Sequence, residues 1–242
     1  MSRWRRDEAA SPARSGQGLG RRLWRVLVFA LLLVLALPIP FLVAYRFLPP
    51  PVTPLMLLRA ASGAPIRQRW VPLPRISPWL VRAVVASEDA RFCIHRGFDF
   101  EEIGAALDRF HAARRLRGAS TISQQTAKNL LLWPGGGFLR KGIEAYVTVL
   151  LELGWPKARI LEVYLNVIEW GDGVYGAEQA AQTHFGKAAA TLTRHEAALL
   201  AAVLPSPRTL SADRPSLYVQ ERAVTIEARM TQVETPGAPG CK

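Results

Sequence analysis

The chain has 242 residues, a length that suits one catalytic domain with a short appendage. Its formal net charge is +12: residues 1–25 carry +5 (seven Arg against Asp7 and Glu8), and the remainder carries +7 (24 basic against 17 acidic). Such a balance favours anionic lipid and phosphorylated substrates, while two cysteines, Cys93 and Cys241, are too few for a disulfide framework or a zinc site; one bridge can form in an oxidising compartment, but the two lie far apart in sequence and are expected as free thiols.

Residues 1–25 read as a basic cytoplasmic tail. Residues 26–45, VLVFALLLVLALPIPFLVAY, hold no charge and are long enough to cross a hydrocarbon core of ~30 Å. Arg3, Arg5, Arg6, Arg14, Arg21, Arg22 and Arg25 precede this run, and basic residues beside a span stay cytoplasmic. A single-pass anchor over 26–46 is expected in the inner (cytoplasmic) membrane, with the N-terminus inside and the following domain outside, in the periplasm. Pro38 and Pro40 should kink its outer end. A cleaved leader is the alternative, but the run is long for one and no A-x-A site follows it. A domain on the outer face meets little nucleic acid, so the basic balance is not read as nucleic-acid binding.

Residues 47–76 are Pro-rich and read as an extended linker with a short strand near Ile66–Val71. From Ser77 the pattern turns helical. Ser77–Pro78 is an N-cap followed by Pro at the first helical position, with Leu80, Val81, Val84 and Val85 at helical spacing. Asp99 caps the next helix, which carries Ile103, Leu107 and Phe110 on one side. Thr121 with Gln124, and later Thr193 with Glu196, fit capping boxes. Residues 139–153 form an apolar helix stopped by Gly154, and Pro156 opens another that runs to about Asn166. Gly171 and Gly173 break the chain, and a short helix follows over 176–185. Alternation with period two is nearly absent, so the domain, taken as residues 77–230, is expected to be mainly α. Residues 231–242 read as a flexible C-terminal tail. Phe100, Ile103, Leu107 and Phe110, with Arg109, Arg114, Arg115 and Arg117 nearby, suit either an interfacial helix or ordinary core packing.

Four polar groups carry the chemistry. Glu88 and Asp89 end an apolar helix, followed by Phe92, His95, Gly97 and Asp99; one acid can face a cleft while the other pairs. His95 alone reads as a structural hydrogen-bonding residue. The stretch Gly118-Ala-Ser120-Thr121-Ile-Ser123-Gln124-Gln125-Thr-Ala-Lys128-Asn129 sets amides and hydroxyls, rather than charges, around a helix N-terminus, which suits sugar hydroxyls and phosphate oxygens. Arg140, Lys141 and Glu144 sit on an otherwise apolar helix, where buried charges need partners; this is a pyrophosphate or metal site in outline. Finally, Tyr164, Trp170 and Tyr175 lie beside a glycine loop, where they can stack on a sugar ring or simply fill the core.

In this order the four blocks, ED-x-x-F-x-x-H-x-G-x-D, G-x-S-T-I-x-Q-Q-x-x-K-N, RK-x-x-E and K-x-x-I-L-E-x-Y-L-N, resemble the signature of glycosyltransferase family 51. That family comprises the peptidoglycan polymerase domains of class A penicillin-binding proteins and their monofunctional relatives. The resemblance covers roughly residues 75–210, and no Ser-x-x-Lys follows, so no acyl-transfer module is expected. It implies a lysozyme-like helical domain with one N-terminal transmembrane helix. The implied substrates are lipid II and the growing glycan strand, and the product is a β-1,4-linked glycan formed with inversion and release of undecaprenyl diphosphate. It implies Glu88 as general base and Glu144 as a second essential acid, one that orients the bases or holds a divalent metal (Mg or Mn) through the pyrophosphate. Arg140, Lys141 and Lys128 would stabilise the leaving group. Asp89, Phe92, His95, Ser120, Thr121, Gln124, Gln125 and Asn129 would bind or orient substrate. No nucleotide is needed, because the donor is already activated. Protein partners would be penicillin-binding proteins and the division or elongation machinery. A lytic transglycosylase and an inactive cell-wall scaffold are the rival readings.

Overall fold

The computed structural model describes residues 16–113 and 120–241, with the backbone alone for residues 16–19, 107 and 109–113. It divides into two units, Met1–Pro40 and Phe41–Lys242. In the first, α1 (Gly16–Ala36) ends at Ala36, with Leu37 in a turn just ahead of Pro38 and Pro40. A ring in place of an N–H cannot continue the hydrogen-bond ladder, so the helix is interrupted and restarts as α2 (Pro38–Tyr45). The 26 residues Gly20–Tyr45 are long and apolar enough to span a membrane.

The second unit is mainly α, as expected. The stretch read as a linker contains α3 (Pro54–Ala61), whose N-cap Thr53 accepts from the Met56 N–H and whose first residue is proline. Ahead of it the chain is clamped. Trp155 Nε1 donates to the Leu42 carbonyl at 2.9 Å, and the Arg159 guanidinium donates to the carbonyls of Tyr45 (2.8 Å) and Leu48 (2.6 Å).

Then come α4 (Pro78–Glu88), α5 (Phe100–Ala113), α6 (Ile122–Leu131), α7 (Phe138–Gly154), α8 (Lys157–Val167), α9 (Ala177–Phe185), α10 (Arg194–Val203) and α11 (Leu217–Arg229). Both expected capping boxes form, Thr121 with Gln124 and Thr193 with Glu196. Asp99 caps α5 by accepting from the N–H groups of Glu101 and Glu102. α10 is buried from Ala197 to Val203, and α4 and α11 pack against it. α8 is equally buried and packs against α6, which also packs against α7. Of the stripe read on α5, Phe100 is exposed and Ile103 half-buried; the side chains of Leu107, Arg109 and Phe110, and residues 114–119 entire, lie outside the described residues.

The expected strand shrinks to β1 (Arg67–Gln68), parallel to β3 (Val174–Tyr175), which pairs antiparallel with β2 (Glu169–Gly171). Asn166 sews this sheet region to α8. Its Nδ2 donates to the Val71 carbonyl and its Oδ1 accepts from the Val71 N–H, both at 2.9 Å. Gly173 has φ 67°, and a Cβ there would lie 2.2 Å from the Pro65 carbonyl oxygen, so glycine is required. Trp170 and Tyr175 are fully buried, which makes them core and removes them as a sugar platform.

The cysteines correct an expectation. Cys93 and Cys241 are not free thiols but form a disulfide across 148 residues of sequence. It ties the chain after α11 to the loop between α4 and α5.

Candidate active site

α4 is stopped by its own acids. Glu88 is its last residue, and Asp89 leaves helical geometry with φ −163°. The two carboxylates then diverge. Asp89 turns inward: Oδ1 pairs with His95 Nε2 at 2.8 Å and Oδ2 accepts from the Ile122 N–H at 2.9 Å. Asp89 thereby joins the first block to the N-terminus of α6, where a carboxylate is favoured. Glu88 turns to Gln125 on α6 instead, and both acids border a cleft of about 170 Å³ that Ser87, Arg91, Asp99, Ser120, Thr121 and Arg229 help to line.

Glu88 Oε2 accepts one hydrogen bond, from Gln125 Nε2 at 3.0 Å. Burial pushes its carboxyl above the ordinary value. The Gln125 bond and the charges of Arg222 and Lys128 pull it down, and the neighbouring charge of Asp89 pushes it further up. Gln125 Oε1 in turn accepts from the Tyr164 hydroxyl at 3.1 Å. Burial and the charges of Glu88 and Asp89 hold that phenol well above its ordinary value.

Glu144 lies on α7, is buried, and has both oxygens gripped: Arg140 Nη1 donates to Oε2 at 2.7 Å and Lys141 Nζ to Oε1. Lys128 stands electrostatically between the two acids. Burial lowers its pKa, Glu144 and Glu88 raise it, and Arg140 and Lys141 lower it further. Three cations against Glu144 leave this region with an excess of two positive charges, a match for a pyrophosphate.

Other predicted site residues fall elsewhere. Phe92 is fully buried beneath the Lys157 ammonium, 4.5 Å from its ring, and so belongs to the core. His95 is a support for Asp89. Gln124 is spent on the capping box, and the Thr121 hydroxyl donates to the Gly97 carbonyl at 2.7 Å. Ser120 is exposed at the cleft rim and Asn129 is half-buried on α6. The sequence reading does not reach Arg222 and Arg229. They sit seven residues apart, hence on one face of α11, and that face meets Glu88 and the cleft.

Two groups invite a metal test. Asp89, His95 and Asp99 offer ligand atoms within 4.8 Å of one another. Both Asp89 oxygens are already bonded, and Asp99 caps α5 and pairs with Arg91 at 3.2 Å. Glu144 is surrounded by cations that would repel a bare metal ion. Neither group fits a protein-held metal.

The family model described as Transglycosylase matches residues 56–231. The chain belongs to the transglycosylase family. Among curated proteins it is 57% identical over 222 residues to a biosynthetic peptidoglycan transglycosylase of Rhodospirillum centenum, covering 91% of this chain and 94% of that protein. A protein of the same description from Caulobacter vibrioides is 52% identical over 222 residues (91% and 97%), and one from Aeromonas hydrophila is 51% identical over 219 residues (89% and 93%). The lysozyme-like helical domain of this transglycosylase family is therefore the scaffold on which Glu88 and Glu144 are held.

Proposed function

We propose that the protein is a peptidoglycan glycosyltransferase that polymerises lipid II into β-1,4-linked glycan with release of undecaprenyl diphosphate. The observation that carries this is Glu88, a carboxyl raised by burial and held by one amide, set beside an excess of cationic side chains. The 4-hydroxyl of the incoming sugar is a weak nucleophile. Glu88 takes its proton as the oxygen bonds to the anomeric carbon of the growing strand, and the carbon–oxygen bond to the pyrophosphate breaks with its electron pair on the leaving group. Attack opposite the α-linked pyrophosphate inverts the anomeric centre. Lys128, Arg140 and Lys141 meet the charge that grows on the departing phosphates.

Glu144 keeps two of those cations extended and placed. With both oxygens taken by Arg140 and Lys141, Glu144 would not itself hold a divalent metal; a metal bound to the pyrophosphate would add charge neutralisation to what these cations supply. The apolar N-terminal span and the arginines before it support an inner-membrane anchor with the catalytic domain in the periplasm. The test is incubation of the purified full chain with lipid II and sizing of the product. Lengthening glycan supports the polymerase, and shortening of added peptidoglycan would make it lytic instead.

A further inference from the structure

We infer that Tyr164 is a positioning residue for the proposed base: through its hydroxyl it fixes which end of the Gln125 amide faces Glu88. The inference rests on reading Glu88 as the proton acceptor.

A carboxamide has two ends of nearly equal size, one an acceptor and the other a double donor. An ionised Glu88 tolerates only the donor end. The amide is settled from both sides. Its Nε2 reaches Glu88 at 3.0 Å and the Ser120 carbonyl at 3.4 Å, while its Oε1 receives the Tyr164 hydroxyl at 3.1 Å. Tyr164 sits on α8 with 1% of its surface exposed, so it does not touch substrate. Gln125 is the partner its hydroxyl finds, and a buried hydroxyl is costly unless bonded; phenylalanine would fill the same space without that demand. Burial and two nearby carboxylates keep the phenol neutral, so the hydroxyl remains a donor over any working pH.

Removing that hydroxyl leaves the half-buried Gln125 Oε1 without its protein donor, and the amide is then free to turn over or withdraw. Either movement weakens the bond that stabilises ionised Glu88. The other charged groups near Glu88 stay in place: Asp89 beside it, Lys128 on α6 and Arg222 on α11, with Arg91, Asp99, Glu102 and Arg229 around the same cleft. The acid limb of activity, where Glu88 must lose its proton to work, then moves upward. Tyr164→Phe is expected to shift that limb by about half a unit to one unit toward higher pH, the range of a single lost hydrogen bond to a carboxylate. Activity on the alkaline side should be better preserved than at the limb.

The experiment is the pH–rate profile of lipid II polymerisation by the full chain, with Tyr164→Phe, Gln125→Leu and the double variant. Gln125→Leu should give the same direction of shift, and Tyr164→Phe should add nothing in that background. A folded Tyr164→Phe protein with an unmoved limb overturns the inference and makes Tyr164 a core residue only. If Tyr164→Phe fails to fold, Gln125→Glu decides: with a carboxylate in place of the amide the Tyr164 hydroxyl still has its acceptor but Glu88 loses its donor, so the limb should move upward, and an unmoved limb overturns the inference. Glu88→Gln separates the two levels: if it is active, the base assignment falls. If it is inactive and the limb of Tyr164→Phe is unmoved, only the role of Tyr164 falls.

Discussion

Glu88 and Glu144 are acids that both act on the Lys128 charge, yet the protein treats them in opposite ways. Glu88 meets a neutral amide, and burial raises its affinity for a proton. Glu144 is packed deeper, and each of its oxygens is spent on a cation. Both Glu144 oxygens are occupied by cations that they hold in place, whereas Glu88, held by a single amide, keeps an oxygen free to meet a hydroxyl proton. The difference assigns proton transfer to the end of α4 and charge placement to α7, and it separates what loss of each acid should do.

The largest effect is expected at Glu88. Glu88→Gln should lower polymerisation by at least about 100-fold, the usual contribution of a positioned general base. Stability should move the other way. A carboxyl whose folded pKa is raised above the unfolded value adds stability only while protonated, and that contribution is lost as pH rises through the folded pKa. At pH 7 Glu88 therefore works against folding, and Glu88→Gln should melt at the same temperature or higher. Below the unfolded value, near pH 4, the advantage should vanish. For the same reason, the acid limb of wild-type activity should lie above the ordinary glutamate range. A Glu88→Gln protein that melts clearly lower at pH 7 would mean that the carboxylate is a structural partner, and the contrast with Glu144 would collapse.

Glu144→Gln should lower activity by roughly tenfold or more and also weaken the fold, because Arg140 loses its buried acid. Breaking a buried pair costs about 3–5 kcal/mol. The cost here should fall nearer 2 kcal/mol, since the Lys141 side chain is 46% exposed and can turn to water. Parallel melts of the two variants at pH 7 test the comparison. Equal melting temperatures would show that the two acids are energetically alike, contrary to their environments.

What the sequence reveals follows the range of the interaction. The Arg140–Lys141–Glu144 group and both capping boxes are bonds between residues three or four apart, so helical spacing alone predicts them. α3 carries the same signal as α4, a hydroxyl cap followed by proline at Thr53–Pro54, but the prolines around it read as linker. α11 shows Val219, Ala223 and Ile226 at spacings of four and three behind a Ser216 cap, a legible helix. That Arg222 and Arg229 on it approach Glu88 is a matter of packing on α10 and α4, which no local pattern encodes. The same holds for Tyr164 and Gln125, 39 residues apart, and more so for Cys93 and Cys241. Phe92 shows the reverse case: its place inside a catalytic block suggests the cleft, yet the side chain is core beneath Lys157.

The smallest effect on catalysis is expected at the disulfide, and it bears on where the domain lies. Cys93 belongs to the loop that carries Asp89 and His95, but Asp89 is also fixed by the Ile122 N–H, so the acid pair does not depend on the bridge. Cys93 and Gly240 line a second cavity of about 620 Å³, whereas among the described residues none beyond Arg229 lines the Glu88 cleft. Cys241→Ser should therefore leave the polymerisation rate within about twofold of wild type. It should lower stability by about 2–4 kcal/mol, because a bridge across so long a stretch of chain restricts the unfolded state strongly. For a domain of this size that amounts to roughly 5–10 °C in melting temperature. A disulfide persists in an oxidising compartment and is rare in the cytosol. In growing cells, Cys93 and Cys241 should resist a thiol-alkylating reagent until a reductant is added. Thiols that react at once would place the domain on the cytoplasmic side, reversing the orientation proposed from the arginines before the span. A Cys241→Ser protein that stays folded but loses activity would instead make the bridged tail part of the support for Glu88.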